Sequence, residues 1–227
     1  LSLHDALPIY FGIVDGDIEA VKDHVTAIHI PSWPLQYDQA HYLLAAKNAG
    51  LKVILTPKAQ TETDLVNDLT YWTSLGLTDH IIALYFDEPD LNKTLDPQIV
   101  RHALSLFPSL SSVRLATSYS TAQNTPNLSS YDWVAVSAYS EGESALQKQI
   151  PMLRAKLAPD QKLMLIVYGS DPWRVHPKPF LDYALSDDKV AAIIGFTFFS
   201  HDGSDFGAGI GVNGLLDEFR AVGLSIK

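Results

Sequence analysis

Two adjacent carboxylates at the end of an apolar run are the residues of this chain best suited to catalysis. In residues 81–90 the sequence IIALYF leads directly into Asp87, Glu88 and Pro89. Such a run is typical of a strand buried on both faces in a parallel sheet, and the proline ends it. Parallel α/β proteins carry their catalytic groups at the carboxyl ends of strands. Glu88 is therefore the leading catalytic candidate, with Asp87 beside it.

Eight short apolar runs alternate with amphipathic segments along the chain. The predicted strands are residues 10–14, 27–30, 53–56, 82–86, 113–117, 133–138, 163–168 and 191–198. The predicted helices are residues 18–24, 37–49, 62–75, 97–106, 144–157, 177–185 and 214–222, whereas 121–131 is rich in Ser, Asn and Pro and predicts a loop. Eight such units predict an α/β fold, a single (β/α)8 TIM barrel over residues 9–227. An open doubly wound sheet is the alternative, but GIVDGD after the first run does not match a dinucleotide-binding GxGxxG motif.

The first eight residues fit poorly with the rest of the chain. They lack the basic start and the small-residue cleavage site of a signal peptide, and they resemble translated adaptor sequence of a shotgun-assembled, metagenomic reading frame. Residues 1–8 are therefore expected to be non-native or disordered. The sequence does not determine the compartment, and the expectation is a secreted or periplasmic protein whose native N-terminus is missing.

The composition excludes several classes of function. Acidic residues outnumber basic ones by 26 to 16, which argues against nucleic acid and anionic membranes as partners. No apolar run approaches the roughly 18 residues of a membrane span, and there is no cysteine. The eight histidines form no HxH or HExxH pair, so neither a metal nor another cofactor is expected. Nothing indicates an obligate protein partner, so a monomer is expected.

Strand alternation predicts which side chains face the barrel axis. In the sixth strand the set that includes Ser137 and Tyr139 carries the polar groups and is expected to face inward. Gly195 and Thr197 suggest the same for the eighth strand, which would place Phe199 near the opening.

Alternation does not separate the two carboxylates of the fourth strand. Asp87 and Glu88 fall on opposite faces, but a bulge near a strand end brings neighbours to one side. Both are therefore kept at the predicted mouth, together with Asp15, Ser32, Trp33, Lys58, Ser118, Tyr119, Tyr139, Glu141, Tyr168, Asp171, Trp173, His201 and Asp202.

Carboxylates and aromatic side chains dominate this predicted mouth. Aromatic rings pack against the apolar faces of sugars, and acidic side chains accept hydrogen bonds from sugar hydroxyls. Cleavage of a glycosidic bond needs one carboxylic acid to protonate the leaving oxygen and one carboxylate opposite it. The composition of the mouth therefore indicates a carbohydrate site.

Four motifs lie along the predicted strands: YFDEPD at 85–90, YDWVAVSAYSEG at 131–142, KLMLIVYG at 162–169 and GFTFFS at 195–200. Together they resemble the glycoside hydrolase superfamily with a barrel fold, in particular poorly characterised members with a DEP motif after strand four. The resemblance spans the chain from about residue 10. It implies an O-glycosyl hydrolase whose general acid/base is Glu88 and whose tyrosine after strand six is Tyr139.

The chain departs from this pattern at strand seven, which ends in VYGSDPW without the nucleophilic glutamate of many retaining members. Three outcomes stay open. An inverting enzyme would activate water with one of four carboxylates, Asp15, Asp171, Glu141 or Asp202. A substrate-assisted enzyme would use Asp87 and Tyr139 to steady a substrate-derived nucleophile, and a third type of barrel would bind carbohydrate without catalysis. An aldolase or lyase with Lys58 as a Schiff base is the alternative from another class.

The candidate site therefore consists of two groups. The catalytic candidates are Glu88, Asp87, Tyr139, Asp171 and Asp15. The carbohydrate-binding candidates are Trp33, Tyr168, Trp173, Tyr119, Glu141 and His201. For Glu88 the competing structural role is to cap the next helix or to pair with Lys93 or Arg101.

Overall fold

A ring of eight parallel strands forms the centre of the protein. The computed structural model describes residues 10–13 by their backbone, and residues 18–32, 38–137, 141–169, 175–196, 210 and 214–226 with their side chains. The strands are β1 (Tyr10–Ile13), β2 (Ala27–Ile30), β3 (Lys52–Leu55), β4 (Ile81–Phe86), β5 (Arg114–Tyr119), β6 (Trp133–Val136), β7 (Lys162–Tyr168) and β8 (Val190–Phe196).

Their order in the sheet is β1-β8-β7-β6-β5-β4-β3-β2, and every pairing is parallel. β1 and β2 lie next to each other, so the sheet curls into a nearly closed barrel. The α/β barrel predicted from the sequence is confirmed.

Helices alternate with the strands, as the sequence predicts. They are α1 (Ile18–Val21), α2 (Gln39–Asn48), α3 (Glu62–Ser74), α4 (Pro97–Ser105), α5 (Gln149–Arg154), α6 (Lys178–Ser186) and α7 (Leu216–Ile226). Side chains of Asp38, Thr61 and Asp96 cap α2, α3 and α4 by accepting backbone N–H bonds of the first turn. None of the described helices combines the length and the apolar character needed to cross a membrane.

The segment predicted as one helix over 144–157 is shorter and divided. A 3-10 helix spans Gly142–Leu146, and α5 starts at Gln149. Pro151 explains this start, because proline has no N–H for the bond to the residue four positions earlier and is tolerated only in the first helical turn.

The inside of the barrel and the layer outside it are filled by two different clusters of side chains. Between the strands and the helices the core is formed by large aliphatic residues. Inside the barrel, by contrast, four strands contribute alanines, which are Ala83, Ala116, Ala135 and Ala192. Barrel interiors are usually filled by bulky branched side chains. None of these four alanines lines the cavity, whereas the larger Ile54, Tyr85, Met164 and Ile194 of the same cluster do.

The predicted orientation of β8 is wrong. A Cβ on Gly195 would lie 2.4 Å from Cε1 of Phe219 on α7, so Gly195 faces the helices. Ile194 and Phe196 face the cavity instead. Glycine is needed here because an aromatic ring approaches the strand backbone closely. Thr197 and Phe199 lie outside the described residues.

Candidate active site

A cavity of about 320 Å³ opens at the carboxyl ends of the strands. Its volume lies at the lower end of the range for small-molecule sites. The loop after β4 forms part of the wall through Asn92, Lys93, Thr94 and Leu95. The remaining lining residues come from strands and from the segments that follow them: His29, Ser32, Ile54, Thr56, Pro57, Ala59, Gln60, Tyr85, Phe86, Asp87, Ser137, Met164, Ile166, Tyr168, Ile194 and Phe196.

Asp87 lies in this cavity and is held by two hydroxyl groups. Its Oδ1 lies 2.8 Å from the Tyr85 hydroxyl and 2.9 Å from Oγ of Ser118, and these two oxygens are 2.7 Å apart. Ser137 Oγ contacts Ser118 Oγ at 2.9 Å. The side chain of Asn92 also donates to the Asp87 carbonyl at 3.1 Å. The cavity thus has a connected polar wall formed by β4, β5 and β6.

The backbone at Glu88 is no longer extended, so the alternation of side chains along β4 ends before this residue. Its φ is 42°, in the left-handed region that few side chains adopt, and its carbonyl accepts N–H bonds from Leu91 at 2.8 Å and Asn92 at 2.7 Å. The hydroxyl of Ser137, which lines the cavity, influences the pKa of the Glu88 carboxyl group. Backbone strain of this type is concentrated at functional sites. Glu88 directly follows Asp87 but is not itself among the residues that line the cavity.

The surroundings of Glu88 favour its protonated form. Partial burial raises the pKa of Glu88 to about 7, and the negative charges of Asp87 and Asp90 contribute to this increase. The hydroxyl of Ser137 opposes the rise in this pKa because a hydroxyl donor stabilises the ionised carboxylate. A carboxylic acid with a pKa near neutrality can donate a proton at physiological pH.

Other residues fill the structural roles considered for Glu88. The α4 helix is capped by Asp96. Arg101 contacts the carbonyl of Ser130 at 2.9 Å and Oδ1 of Asp132 at 3.3 Å. Among the described residues, no ion pair involves Glu88.

His29 is a cavity residue that was not among the sequence candidates. Its Nε2 lies 2.7 Å from Oγ1 of Thr56, and its ring meets Tyr85 edge-on with centroids 5.0 Å apart. Burial lowers the pKa of His29 to about 3, so the imidazole is neutral. A histidine inside the apolar strand AIHI is the feature that could have identified it.

The opposite wall of the cavity is apolar. β7 contributes Met164 and Ile166, and β8 contributes Ile194 and Phe196. Tyr168, a binding candidate, ends β7, lines the cavity and meets Phe196 edge-on at a centroid distance of 5.5 Å. Within the described residues, Asp87 is the only carboxylate that lines the cavity.

Three of the residues expected at the mouth lie elsewhere. Tyr119 is fully buried between strands and helices and donates to the carbonyl of Pro126 at 2.6 Å, which corrects its assignment as a binding residue. The cause is alternation on β5, where Ser118 points inward. Glu141 does not line the cavity, and its Oε1 accepts from Gln149 at 2.6 Å. Lys58 is exposed and outside the lining, so it lacks the burial that an activated lysine needs.

The remaining candidates fall outside the described residues. They are Asp15, Trp33, Tyr139, Asp171, Trp173 and His201, together with Asp202 of the predicted mouth. In the part of the chain that is described, no group of three or more acidic or histidine side chains could hold a metal ion.

Asp90 is a further carboxylate near Glu88 that was not among the sequence candidates. Its Oδ2 accepts from Ser120, and its Oδ1 is buried without a hydrogen-bond partner. Its charge contributes to the raised pKa of Glu88.

Comparison with known proteins shows what the fold resembles. No protein-family model matches the chain, and no curated protein matches it in sequence. Solved structures do match. The β-1,3-glucanosyltransferase of glycoside hydrolase family 17 from Rhizomucor miehei has a TM-score of 0.60 and 12% identity over 88% of this chain and 92% of that chain. A family GH113 β-1,4-mannanase has a TM-score of 0.60 and 9% identity over 96% and 99% of the two chains.

Gas2p of Saccharomyces cerevisiae, in complex with laminaritriose and laminaritetraose, has a TM-score of 0.63 and 10% identity over 99% of this chain and 66% of that chain. The chain thus spans about two thirds of that protein. This protein has a glycoside hydrolase-like barrel fold. At these identities the likeness concerns the fold, and the chemistry has to be argued from the site.

Proposed function

We propose that the barrel binds a carbohydrate in its cavity and cleaves a glycosidic bond, with Glu88 as the general acid. The observation that carries this proposal is the position of Glu88 at the carboxyl end of β4, directly after the cavity residue Asp87, together with a pKa that is raised to about 7. The fold supports the same conclusion, because the matching structures are glycoside hydrolases and glucanosyltransferases.

In the proposed reaction Glu88 donates its proton to the leaving glycosidic oxygen as the bond breaks, and the anomeric carbon bonds either to a second carboxylate or to a water molecule that this carboxylate deprotonates. In the first case the ionised Glu88 then takes the proton of the water or acceptor hydroxyl that displaces the second carboxylate, and in the second case it is reprotonated from solvent. A second carboxylate is required about 5–5.5 Å away for retention or about 6.5–9.5 Å away for inversion. Asp15 and Asp171 are proposed for this role.

The raised pKa determines the pH dependence. A general acid works only while it is protonated, so turnover is expected to fall as the pH rises through about 7. An unperturbed glutamic acid would lose its proton near pH 4.5 and would be inactive as an acid at neutrality.

A screen of polysaccharides with Glu88→Gln as the test variant examines the proposal. β-1,3-Glucan and β-1,4-mannan oligosaccharides are the first substrates to include, because the structural neighbours act on or bind such sugars. Turnover in Glu88→Gln should fall by a factor on the order of 10²–10⁴ while thermal unfolding shows an intact fold. Glu143→Gln is the matched control, since Glu143 is exposed outside the cavity. Full activity in Glu88→Gln would refute the assignment.

A second candidate function is carbohydrate binding without catalysis. It is favoured by the cavity lining, where Asp87 is the only described carboxylate and its Oδ1 is already held by two hydroxyls. Calorimetric titration with the same oligosaccharides separates the two functions. Tight binding without product formation in the wild type, unchanged in Glu88→Gln, would favour the binding protein.

A further inference from the structure

His29 is a polar side chain of the cavity that the proposed reaction does not use. It lies in the apolar strand β2, with 5% of its surface exposed, and it lines the cavity. Its ring meets that of Tyr85 on β4, with centroids 5.0 Å apart. Because β3 lies between β2 and β4 in the sheet, this contact crosses the inside of the barrel. The His29 side chain therefore points into the barrel and away from the helices.

The protein fixes one of the two ring nitrogens of His29. Its Nε2 lies 2.7 Å from Oγ1 of Thr56, the residue that follows β3. Thr56 is held in turn by the buried side chain of Gln39, whose Nε2 donates to the Thr56 carbonyl at 2.8 Å and to the Pro31 carbonyl at 3.1 Å. The orientation of the imidazole is thus set by the segments that follow β2 and β3.

The second ring nitrogen, Nδ1, is left for a ligand. Among the described residues, Nδ1 of His29 has no hydrogen-bond partner. It is also not one of the buried atoms that lack a partner, in contrast to Nδ1 of His24. Nδ1 of His29 is therefore open to the cavity that this side chain lines. A polar atom in such a position is satisfied by water or by a ligand group that takes the place of the water.

The contact with Thr56 allows Nδ1 either role in a hydrogen bond. Burial lowers the pKa of His29 to about 3, so the neutral ring has one N–H and one nitrogen with a lone pair. If Nε2 donates to the Thr56 hydroxyl, Nδ1 accepts; if the hydroxyl donates to Nε2, Nδ1 carries the proton and donates. A sugar hydroxyl both donates and accepts, so it pairs with either form without a change of charge.

From these contacts we infer that His29 is a specificity-determining residue of the cavity, whose Nδ1 exchanges a hydrogen bond with one hydroxyl of the bound sugar. Thr56 is the positioning residue that orients the ring for this contact. The inference rests on the proposed function, because it takes the ligand to be a carbohydrate. It assigns His29 no proton transfer to or from the glycosidic bond.

Two substitutions that each keep one of the nitrogen positions test the inference. In His29→Asn an amide atom is bonded to Cγ, as Nδ1 is in histidine, so the contact with the sugar is kept and the contact with Thr56 is lost. In His29→Gln the amide lies one bond further out, as Nε2 does, so the contact with Thr56 is kept and the contact with the sugar is lost.

Calorimetric titration with laminaritriose and with β-1,4-mannotriose measures the affinities, in the Glu88→Gln background so that the sugar is not cleaved. His29→Gln should bind on the order of tenfold more weakly than the parent, and His29→Asn should keep most of the affinity. A merely structural role of the contact with Thr56 predicts the reverse order. The reverse order, or equal affinities in all three proteins, would overturn the inference. His41→Gln, at an exposed position of α2 outside the cavity, is the control and should bind as the parent does.

Monodeoxy analogues of the bound sugar identify the hydroxyl that His29 contacts. With His29 present, one analogue should bind on the order of tenfold more weakly than the complete sugar. With His29→Gln, that analogue and the complete sugar should bind alike. If every analogue loses the same factor in both proteins, His29 contacts no hydroxyl and the inference is wrong.

A third variant covers the case in which thermal unfolding shows that the His29 variants are not folded. Thr56→Val keeps the shape of the side chain but removes the hydroxyl that orients Nε2, so the affinity should fall several-fold. Thr56→Ser keeps the hydroxyl and should restore the affinity. Equal affinity in Thr56→Val and the parent would overturn the inference.

The outcomes separate this inference from the proposed function. Binding that depends on His29, in a protein that cleaves no sugar while Glu88 is intact, would support the inference and refute the cleavage reaction. Turnover of a sugar whose binding is unchanged in His29→Gln would refute the inference and leave the proposed function standing. If neither trisaccharide binds and no sugar of the screen is cleaved, both are refuted.

Discussion

The two walls of the cavity differ in their chemistry although both belong to the same sheet. Strands β4, β5 and β6 present a connected set of hydroxyls around Asp87, formed by Tyr85, Ser118 and Ser137. Strands β7 and β8 present mainly aliphatic and aromatic carbon. Among the described residues, ionised groups and their hydrogen-bond partners are therefore confined to one side. A ligand that fits both walls would place its hydroxyls toward β4–β6 and an apolar face or substituent toward β7–β8, because hydroxyls buried without partners are costly.

The largest expected effect tests which face of β8 forms the apolar wall. Gly195→Ala places a Cβ 2.4 Å from the Phe219 ring, so the free energy of unfolding should fall by about 1–3 kcal/mol. Urea unfolding measures it. Phe219→Leu in the same chain should relieve part of the loss, as a double-mutant cycle would show. If Gly195 faced the cavity instead, Gly195→Ala would leave the free energy of unfolding nearly unchanged. The double-mutant cycle would then show no interaction energy between positions 195 and 219.

Two replacements of similar shape at Ile194 test whether the wall formed by β7 and β8 contacts an apolar part of the ligand. Ile194→Val and Ile194→Thr differ only by a hydroxyl in place of a methyl group. For a carbohydrate ligand found in the screen, the threonine variant should bind on the order of tenfold more weakly than the valine variant. Calorimetric titration gives the two affinities. Equal binding, or tighter binding by the threonine variant, would show that this wall meets ligand hydroxyls instead.

The polar wall should make stability depend on pH through Glu88. In the folded protein Glu88 keeps its proton up to about pH 7, whereas in the unfolded chain it releases it near pH 4.5. Folding therefore takes up a proton between these values, and stability declines as the pH rises from about 4.5 to 7 and then stays level.

Glu88→Gln removes this dependence, so the variant should gain stability relative to the wild type at pH 8 but not at pH 4. Because the side chain is partly exposed and solvent screens its charge, the gain should be no more than about 2–4 °C in Tm, or roughly 1 kcal/mol. Thermal unfolding of both proteins at the two pH values measures it. Equal Tm differences at both pH values would contradict a raised pKa at Glu88.

The smallest effect concerns the charge of Asp87. Asp87→Asn keeps an oxygen that accepts from Tyr85 and Ser118 but removes the negative charge beside Glu88. The pKa of Glu88 should fall, on the order of one unit at most, and the alkaline limb of turnover should move to lower pH. Asp79→Asn, at an exposed position outside the cavity, is the control. An upward movement of that limb would contradict the charge interaction.

The fold was predictable because its determinants are local. The apolar runs and the amphipathic segments between them located eight strands and seven helices to within a few residues, as for β2, predicted and found at 27–30. The helix predicted over 144–157 was the main exception. Because proline is tolerated only in the first turn of a helix, Pro151 indicates that the helix begins shortly before it, as α5 does at Gln149.

The candidate site was less predictable, and the reasons differ from residue to residue. Side chains of an extended strand alternate between the two faces of the sheet. Once Ser118 is assigned to the barrel interior, this alternation places its neighbour Tyr119 on the outer face, against the helices. Gly195 was assigned to the barrel interior because it alternates with the polar Thr197. In the structure it faces the helices, where the absence of a side chain leaves room for the ring of Phe219. His29 was passed over because a lone histidine in an apolar strand carries no spacing pattern.

The sequence by itself determined the barrel and the position of Asp87 and Glu88 at the end of its fourth strand. The reason is that the periodic patterns of strands and helices depend only on residues that are neighbours in the sequence. Only the tertiary structure decided that Glu88 adopts a left-handed backbone conformation, that Tyr85, Ser118 and Ser137 form a connected set of hydroxyls beside Asp87, and that the pKa of Glu88 rises to about 7. The physical reason is that a pKa and a hydrogen-bond chain depend on burial and on neighbours from other strands, and these come together only when the sheet curls.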